Sequence, residues 1–195
     1  PSDSIYAGTF SINESEETAH FSIVDKDGNA VSVTTTLNSS YGSKVFVNNR
    51  GFLLNNEMDD FSSKPGSPNI YGLLGSEANS IEPEKRMLSS MTPTIIEKEG
   101  ELFMVLGSPG GSTIITSVFQ TILNAILFNM DIQNAVDMPR FHHQWKPEKI
   151  YIEATLHSDT LIKELNNFGH VVQTRSPIGH VNAIIYNNGK MSFGA

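Results

Sequence analysis

The sequence predicts an α+β fold in which helices cover an antiparallel β-sheet, and the pattern also fits two sheets in four layers. Two observations support this prediction. Short alternating segments occur in pairs around turn residues such as Asp27-Gly28-Asn29, which is typical of β-hairpins. Between the pairs lie longer stretches with helical periodicity and recognisable helix ends.

The predicted elements follow one another without an internal repeat. Residues 1–17 carry little apolar periodicity and are predicted to be a surface segment or linker. Strands are predicted at 19–24, 30–37, 51–54 (buried), 92–98, 102–106, 170–174, 181–186 and 190–194, and helices at 114–129, 131–138 and 158–167. Residues 57–83 contain prolines and glycines with no sustained period, and a loop of this length is usually functional, often as a lid.

Composition excludes several classes of function. The 195 residues are enough for one domain with a sizeable core. A net charge of -8 without a basic run argues against a nucleic-acid or anionic-membrane partner. The absence of cysteine excludes disulfides, a thiol nucleophile and a thiolate metal site. The most apolar stretch, 114–128, is interrupted by polar residues and too short to span a bilayer, and no signal peptide is visible.

Thr18 has the sequence context of a nucleophile that is activated by its own amino group. If the chain is cut before Thr18, the new α-amino group has a pKa of about 7.7–8.0 and can accept the proton of the threonine hydroxyl. This chemistry requires a hydroxyl residue that begins a buried strand after an exposed segment. The stretch SINESEETAHFSIV meets both conditions. On this spacing alone, an ordinary strand threonine remains the simpler interpretation.

Gly110 and Gly111 lie between an apolar strand and the start of a helix. Adjacent glycines in such a turn allow backbone N–H groups to point together at an anion, and the positive end of the helix dipole adds to the attraction. The anion could be the oxyanion of an acyl-transfer intermediate or a phosphate, although the Lys-Ser/Thr ending of a P-loop is missing. Glycines that only allow a tight strand-to-helix turn fit the stretch equally well.

Three clusters of acids and hydroxyls are further candidates for a binding site. The sequence TTTLN is predicted to place Thr36 and Asn38 on one face of the second strand. The other clusters are Glu57, Asp59 and Asp60 in NNEMDDF, and Ser89 and Ser90 in LSSMTPT. Carboxylates bind an ammonium group and hydroxyls bind a carboxylate, so the clusters together suit a zwitterion. Each cluster in isolation also fits solvated turn residues.

The histidines do not form a metal-binding pattern. His142 and His143 are adjacent, so their side chains point in different directions in a strand or a helix. With no third ligand at a suitable spacing, these residues and His20 are predicted to be packed or surface histidines. Trp145 is predicted to be a core or interface residue.

Five motifs occur in order along the chain, and together they carry a family resemblance. They are TAHFSIVDKDGNAVSVTTTLN, GFLLNNEMDDFSSKPGSPNIYG, KRMLSSMTPT, GSPGGSTIIT and PRFHHQW. With these motifs the sequence resembles the γ-glutamyltranspeptidases, members of the N-terminal-nucleophile hydrolases, from Thr18 to Ala195. Two departures are Ala19, where a second threonine is common in bacterial members, and Met87, where proline is frequent. The last residues, SFGA, stop short of an Asp-Pro-Arg sequence usual near the family's C-terminus.

The resemblance implies a four-layer αββα sandwich that is completed by a large subunit. In this family one precursor cuts itself into a large and a small subunit, and the small subunit begins with the catalytic threonine. Residues 1–17 are therefore expected to be the tail of the large subunit, and 18–195 the small subunit, with the cut between Glu17 and Thr18. The large subunit is expected to contribute an arginine to the substrate carboxylate.

The resemblance also implies roles for individual residues. Thr18 would be the nucleophile, and Thr36 would hydrogen-bond and orient it. Gly110 and Gly111 would form the oxyanion hole, and Tyr71 would close a lid over the site. The substrate α-amino group is expected at Asn38, Glu57 and Asp60, and its α-carboxylate at Ser89 and Ser90.

The implied activity is hydrolysis and transfer of γ-glutamyl groups from glutathione and related amides. Water, an amino acid or a peptide would accept the group, and neither a metal nor an organic cofactor is implied. No membrane segment is expected in this chain, and the family resemblance implies a periplasmic or extracellular location. Alternatives within the fold are an acylase or a poly-γ-glutamate depolymerase, and a different class is a binding protein that never matures.

Overall fold

The computed structural model describes residues 18–187 and 189–195 and has the predicted α+β architecture. In chain order its strands are β1 Ala19–Val24, β2 Ala30–Thr35, β3 Phe46–Val47, β4 Phe52–Leu53, β5 Thr94–Lys98, β6 Glu101–Gly107, β7 Phe141–His142, β8 Ile150–Glu153, β9 Val172–Arg175, β10 Asn182–Asn187 and β11 Lys190–Gly194. Its α-helices are α1 Ile114–Ile126, α2 Ile132–Asp137 and α3 Asp159–Asn167. Short 3₁₀ turns occupy Glu57–Asp60, Glu77–Asn79, Gly111–Thr113 and Ala154–Leu156.

Strand β6 lies inside the largest sheet, a four-stranded antiparallel sheet in the order β11-β10-β6-β5. Met104, Val105 and Leu106 in β6 are completely buried. A strand that is apolar at consecutive positions must be covered on both faces, because alternate side chains point to opposite sides. The two faces of β6 are covered by different layers.

Helices α1 and α2 cover one face of this sheet. Met104 and Leu106 of β6 pack there with apolar residues of both helices and of the neighbouring strand β10. The buried members of this core are Met104, Leu106, Ile114, Val118, Ala125, Ile132, Ala135, Val136, Val181 and Ala183. The predicted N-cap of α2 is confirmed, because the Asp131 carboxylate accepts the N–H of Asn134.

The hairpin of β1 and β2 covers the opposite face of the sheet. Both strands contact β6, and Ser32 Oγ donates a hydrogen bond of 3.0 Å to the Leu106 carbonyl. His20 faces the sheet and is buried, whereas Phe21 and Ile23 point outward and are exposed. The predicted alternation is therefore confirmed, but its polar side packs inward and its apolar side faces outward.

A separate three-stranded sheet, in the order β7-β8-β9, was not anticipated as a sheet from the sequence. Strands β8 and β9 are parallel, and α3 connects them. Parallel strands require such a crossover, so their partners are distant in sequence. Local patterns predicted α3, whose N-cap is Ser158, but not β7 or β8.

Three sequence predictions about element ends are corrected. Strand β2 ends at Thr35 instead of residue 37, because the chain enters a turn with Asn38 at φ 76°. The predicted buried strand at 51–54 is the two-residue strand Phe52–Leu53, and Phe52 is exposed because β4 pairs only with β3 in a two-stranded ribbon. Helix α1 ends at Ile126 instead of residue 129.

No helix within the described residues is long and apolar enough to cross a lipid bilayer.

We expect Gly107→Ala to destabilise the fold by about 1–3 kcal/mol, the usual cost of overpacking a core. A Cβ at this position would lie 2.2 Å from Cε1 of His20, so β1 would have to move away from β6. Thermal unfolding of the purified protein measures the change. Gly51→Ala adds a methyl group in open space, and its only cost is the backbone strain of a positive φ of 75°, so the loss at Gly107 should be the larger of the two. An equal loss in both variants would refute the steric explanation.

Candidate active site

Thr18 lies at the start of β1 with only 9% of its surface exposed. It is on the same face of the strand as His20, two residues later, and this face packs against β6. Because the His20 ring covers the α-carbon of Gly107, the start of β1 lies beside the end of β6. The chain reaches Gly110 three residues after that contact.

His20 is fixed in place by a network of hydroxyl groups. Its Nδ1 lies 2.8 Å from Thr34 Oγ1, and its Nε2 lies 3.0 Å from Ser22 Oγ. Ser22 donates its proton to the Asn182 carbonyl, so it accepts a hydrogen bond from Nε2–H, and Nδ1 accepts from Thr34. Burial lowers the pKa of His20, which favours this neutral form. The prediction of a packed histidine is confirmed, but its position beside the site was not anticipated.

Thr36 and Asn38 come together through a turn and not along a strand face, which corrects the sequence prediction. The Asn38 N–H donates a 2.9 Å hydrogen bond to Thr36 Oγ1, and Asn38 Nδ2 donates to the Asn56 carbonyl at 3.2 Å. Asn38 is 3% exposed. Ala19 pairs with Thr35 in the hairpin, so the same register continued by one residue sets Thr18 opposite Thr36.

Tyr71 connects the long loop to two other candidate residues. Its hydroxyl donates a 2.6 Å hydrogen bond to the Asn38 carbonyl. Its ring lies against Gly111, where an added Cβ would be 3.1 Å from Cε1 of Tyr71. Asn69 Oδ1 accepts the N–H groups of both Tyr71 and Leu73 at 3.0 Å, which fixes the turn that presents the ring.

Gly110 and Gly111 form the predicted turn between β6 and the first turn before α1. Gly110 has φ 133° and Gly111 has φ 54°, conformations in which a side chain would be strained. The Gly110 carbonyl accepts hydrogen bonds from Thr113 N–H at 3.1 Å and Thr113 Oγ1 at 2.8 Å. The first N–H groups of a helical turn point away from it, so those of Gly110 and Gly111 are suited to bind an anion.

Ser90 is hydrogen-bonded to this turn, whereas Ser89 lies further out. Ser90 Oγ donates to the Gly111 carbonyl at 3.2 Å, and Ser90 is half-buried. Ser89 is exposed, and its Oγ accepts the N–H of Met91 at 3.2 Å.

Glu57 and Asp60 form a pair of half-buried carboxyl groups on one 3₁₀ turn. Three residues make one turn of a 3₁₀-helix, so the two side chains lie on the same face. Burial, a hydrogen bond that the protonated Glu57 carboxyl donates to Asp60 and the Asp60 charge raise the pKa of Glu57 to about 7. Burial raises the pKa of Asp60 as well, and the Asp59 charge adds to this. Near pH 7 Glu57 therefore keeps a proton part of the time and shares it with Asp60 through this hydrogen bond.

A cleft of about 330 Å³ lies between the long loop and the start of α1. Of the predicted site residues it is lined by Asp60, Tyr71, Ser89 and Ser90. The predicted residues that do not line it are Thr18, Thr36, Asn38, Glu57, Gly110 and Gly111. Tyr71 connects Asn38 to the cleft wall through its hydrogen bond, and it connects Gly111 through its ring. Ser90 also binds Gly111. Glu57 is next to the cleft because it interacts with Asp60. Glu17 lies outside the described residues.

His142 also lines the cleft, and no role for it was predicted from the sequence. Its Nδ1 lies 2.8 Å from Thr116 Oγ1, and its Nε2 lies 2.8 Å from Gln144 Oε1. His142 is buried while His143 is exposed, so the prediction that the two point in different directions is confirmed. The only sequence signal for this contact was the PRFHHQW motif. Within 18–187 and 189–195, no three acidic or histidine side chains are arranged to hold a metal ion.

Comparisons with known proteins identify the family of the chain. The family model described as Gamma-glutamyltranspeptidase matches residues 1–195. The glutathione hydrolase proenzyme of Escherichia coli (strain K12) is 47% identical over 195 residues, which are 100% of this chain and 33% of that protein. The glutathione hydrolase proenzyme of Pseudomonas sp. (strain A14) is 54% identical over 173 residues, 89% of this chain and 30% of that protein.

Among solved structures, the Helicobacter pylori γ-glutamyltranspeptidase T380A mutant superposes with a TM-score of 0.84 at 50% identity. The match covers 90% of this chain and 97% of that chain. The present chain thus spans about a third of the length of the full-length relatives but almost all of this structural neighbour. On the match along its whole length and on these identities, the chain belongs to the γ-glutamyltranspeptidase family.

Proposed function

We propose that this chain is the catalytic part of an enzyme that hydrolyses and transfers γ-glutamyl groups of glutathione and related amides. The observation that carries the proposal is the placement of Thr18 at the buried start of β1, opposite Thr36 and beside the end of β6 that leads to Gly110 and Gly111. A hydroxyl nucleophile, an orienting hydroxyl and an anion-binding turn are the parts that acyl transfer requires. Membership of the γ-glutamyltranspeptidase family supports the choice of the acyl group.

The first step is cleavage of the precursor between Glu17 and Thr18. Attack by Thr18 Oγ1 on the Glu17 carbonyl forms an ester and breaks the peptide bond, which frees the α-amino group of Thr18. Water then hydrolyses the ester and releases the Glu17 carboxylate and the Thr18 hydroxyl. This amine has a pKa near the working pH and is the base for later turnover. Residues 1–17 are then the tail of a large subunit and 18–195 the small subunit.

The second step is attack by the Thr18 hydroxyl on the γ-carbonyl of the substrate. The α-amino group takes the hydroxyl proton, and the N–H groups of Gly110 and Gly111 hold the oxyanion of the tetrahedral intermediate. Collapse breaks the amide bond, and the leaving amine receives the proton. Water or an amine acceptor then attacks the γ-glutamyl ester and regenerates Thr18. Thr36 Oγ1 accepts a hydrogen bond from the Asn38 N–H. The hydroxyl proton of Thr36 can therefore be donated to the nucleophile and orient it.

The amino-acid head of the γ-glutamyl group would bind between two sets of side chains. Asn38, Glu57 and Asp60 take the ammonium group, and Ser89 and Ser90 take the carboxylate. The proton shared by the carboxyl pair is released when the ammonium group arrives, because a nearby cation lowers the pKa of a carboxyl group. Hydrogen bonds to charged groups are stronger than neutral ones, so this head group supplies much of the specificity.

The proposal includes a large subunit from the same precursor. The outer face of the β1–β2 hairpin carries exposed Phe21, Ile23 and Val31, an apolar surface of the kind that packs against a further layer. Helices of the large subunit would cover it and complete the four-layer sandwich, and this subunit would add an arginine for the substrate carboxylate. A periplasmic or extracellular location is proposed from the family resemblance.

The alternatives are distinguished by substrate size and by maturation. Tyr71 lies against Gly111 and would close the site over a small substrate, which favours glutathione over the polymer substrate of a depolymerase. An acylase would turn over acyl amides without a γ-glutamyl head, and a binding homologue would never split. The deciding experiment is turnover of a γ-glutamyl anilide by the complete precursor after maturation, with and without a dipeptide acceptor. Absence of turnover in both assays would contradict the proposal.

Thr18→Ala is expected to abolish both precursor cleavage and turnover, because alanine has no nucleophilic oxygen. Mass spectrometry of the intact protein detects the cut, and release of anilide measures turnover. Thr35→Ala, which changes an exposed neighbour on β2, should leave both unchanged. A normal cut before residue 18 in Thr18→Ala would disprove the assignment of the nucleophile.

Asp60→Asn is expected to raise KM for γ-glutamyl substrates by about tenfold or more while precursor cleavage slows much less. The reason is that loss of a hydrogen bond to a charged group costs about 1.5–3 kcal/mol, and every 1.4 kcal/mol is about tenfold in affinity. Steady-state kinetics and the time course of cleavage give the two quantities. If both assays lost activity equally, Asp60 would support the fold instead of the substrate.

Glu57→Gln is expected to become more stable relative to the unsubstituted protein as pH rises from about 5 to about 8. The pKa of Glu57 lies at about 7 in the folded state and at 4.5 ordinarily, so the folded state binds the extra proton in this window and loses stability as that proton leaves. Melting temperatures across the pH range measure the difference. Glu77→Gln, at the start of another 3₁₀ turn and exposed, should show no such trend. A pH-independent difference for Glu57→Gln would contradict the shared proton.

A further inference from the structure

We propose that Ser108, Arg140 and Glu153 are positioning residues that hold the N–H of Gly110 in the direction needed for the oxyanion. This inference rests on the function proposed above and adds residues that do not touch the substrate. It is carried by hydrogen bonds that begin at a buried ion pair, are joined by the backbone from Ile178 to His180, and end at the peptide group between Pro109 and Gly110.

The ion pair joins Arg140, which precedes β7, to Glu153 at the end of β8. Arg140 is 7% exposed and Glu153 is 8% exposed, and Nη1 lies 3.5 Å from Oε1. Buried ion pairs seldom add net stability, because the cost of removing two charges from water offsets their attraction. A role in geometry is therefore the better explanation for a pair at this position.

Both members of the pair hold the backbone of one residue, Ile178. Glu153 Oε1 accepts the Ile178 N–H at 2.7 Å, and Arg140 Nη1 donates to the Ile178 carbonyl at 3.0 Å. The carboxylate is closer to this N–H than to the guanidinium, so its main partner is the backbone. Ile178 is completely buried, and the peptide groups on both of its sides are fixed.

Gly179 lets the same segment approach Ser108. It has φ 68°, and a Cβ there would lie 2.7 Å from the hydroxyl oxygens of both Ser108 and Ser117. The next residue, His180, donates its N–H to Ser108 Oγ at 3.0 Å. Only glycine permits both this backbone conformation and this contact.

Ser108 connects this segment to the turn at Gly110 and Gly111. It is completely buried, and its hydroxyl donates a 2.6 Å hydrogen bond to the Pro109 carbonyl. That carbonyl and the Gly110 N–H belong to one planar peptide group, so fixing the oxygen fixes the direction of the N–H. Accepting from His180 and donating to Pro109 also polarises the peptide, which makes the Gly110 N–H a better donor. The next peptide is held separately, by Thr113 at the Gly110 carbonyl.

The test compares Ser108→Ala and Glu153→Gln with the unsubstituted protein in the mature form of the complete precursor. Ser108→Ala is expected to lower kcat for a γ-glutamyl anilide by about 10- to 100-fold, since a misplaced oxyanion donor acts on the transition state. Glu153→Gln keeps the acceptor for the Ile178 N–H and loses only the charge, so its kcat should fall by a smaller but measurable factor. The affinity for a tetrahedral boronate analogue of the γ-glutamyl group should fall by the same factor. KM and the inhibition constant of free glutamate should change less than about twofold, because the head-group contacts remain.

Thr121→Val is the matched control, because Thr121 is a completely buried hydroxyl on α1 that donates to the Ser117 carbonyl. It should keep kcat and boronate affinity even if its melting temperature falls. Glu153→Gln is the milder of the two test variants, because its amide oxygen can still accept the Ile178 N–H. It therefore provides a folded protein if Ser108→Ala matures poorly, and mass spectrometry gives the matured fraction that normalises each rate.

The outcomes separate this inference from the proposed function. Failure of the unsubstituted protein to turn over the anilide would defeat the proposed function itself. Normal turnover with boronate affinity unchanged in both test variants would overturn the inference alone. Equal losses of kcat, boronate affinity and glutamate affinity, or the same losses in Thr121→Val, would also overturn it, because they would indicate general damage to packing.

Discussion

The packing of the β1–β2 hairpin on β6 is the constraint on which the other features of the site depend. At its centre the imidazole of His20 lies on the bare α-carbon of Gly107, where any side chain would occupy the space of the ring. Both nitrogens of His20 are hydrogen-bonded to hydroxyl groups, which hold the ring in one orientation. This contact determines where β1 begins, and therefore where the hydroxyl of Thr18 lies relative to the glycine turn at the end of β6.

Backbone groups make up much of the site, and side chains orient them. Tyr71 binds the Asn38 carbonyl, Ser90 binds the Gly111 carbonyl, and Ser108 binds the Pro109 carbonyl. A hydrogen bond to a carbonyl fixes a whole peptide plane, so each of these hydroxyls acts on the N–H at the other end of that plane. Of the three, Ser108 is completely buried, so a conservative change there removes a hydrogen bond that water cannot replace.

Two pairs of ionisable side chains lie in different surroundings, which give them different chemistry. Glu57 has another carboxyl group as its neighbour, and burial together with that neighbour raises its pKa. Glu153 has Arg140 and a backbone N–H as partners, so it holds the chain in place. The neighbours of a carboxyl group thus decide whether its pKa is raised, as at Glu57, or whether it holds the backbone, as at Glu153.

The sequence by itself determined the local features, because these depend on neighbouring residues. The hairpin of β1 and β2, the helices α1 and α3, the Asp131 cap and the Gly110–Gly111 turn all follow from short-range periodicity and turn chemistry. The motifs also determined the family, since five of them occur in order. Tertiary structure alone decided the parallel pairing of β8 with β9, the turn that takes Asn38 out of β2, and the contacts of His20, Arg140 and Glu153. These depend on residues brought together from as far apart as Ser108 and His180, and no pattern along the chain records which distant atoms will meet when the core closes.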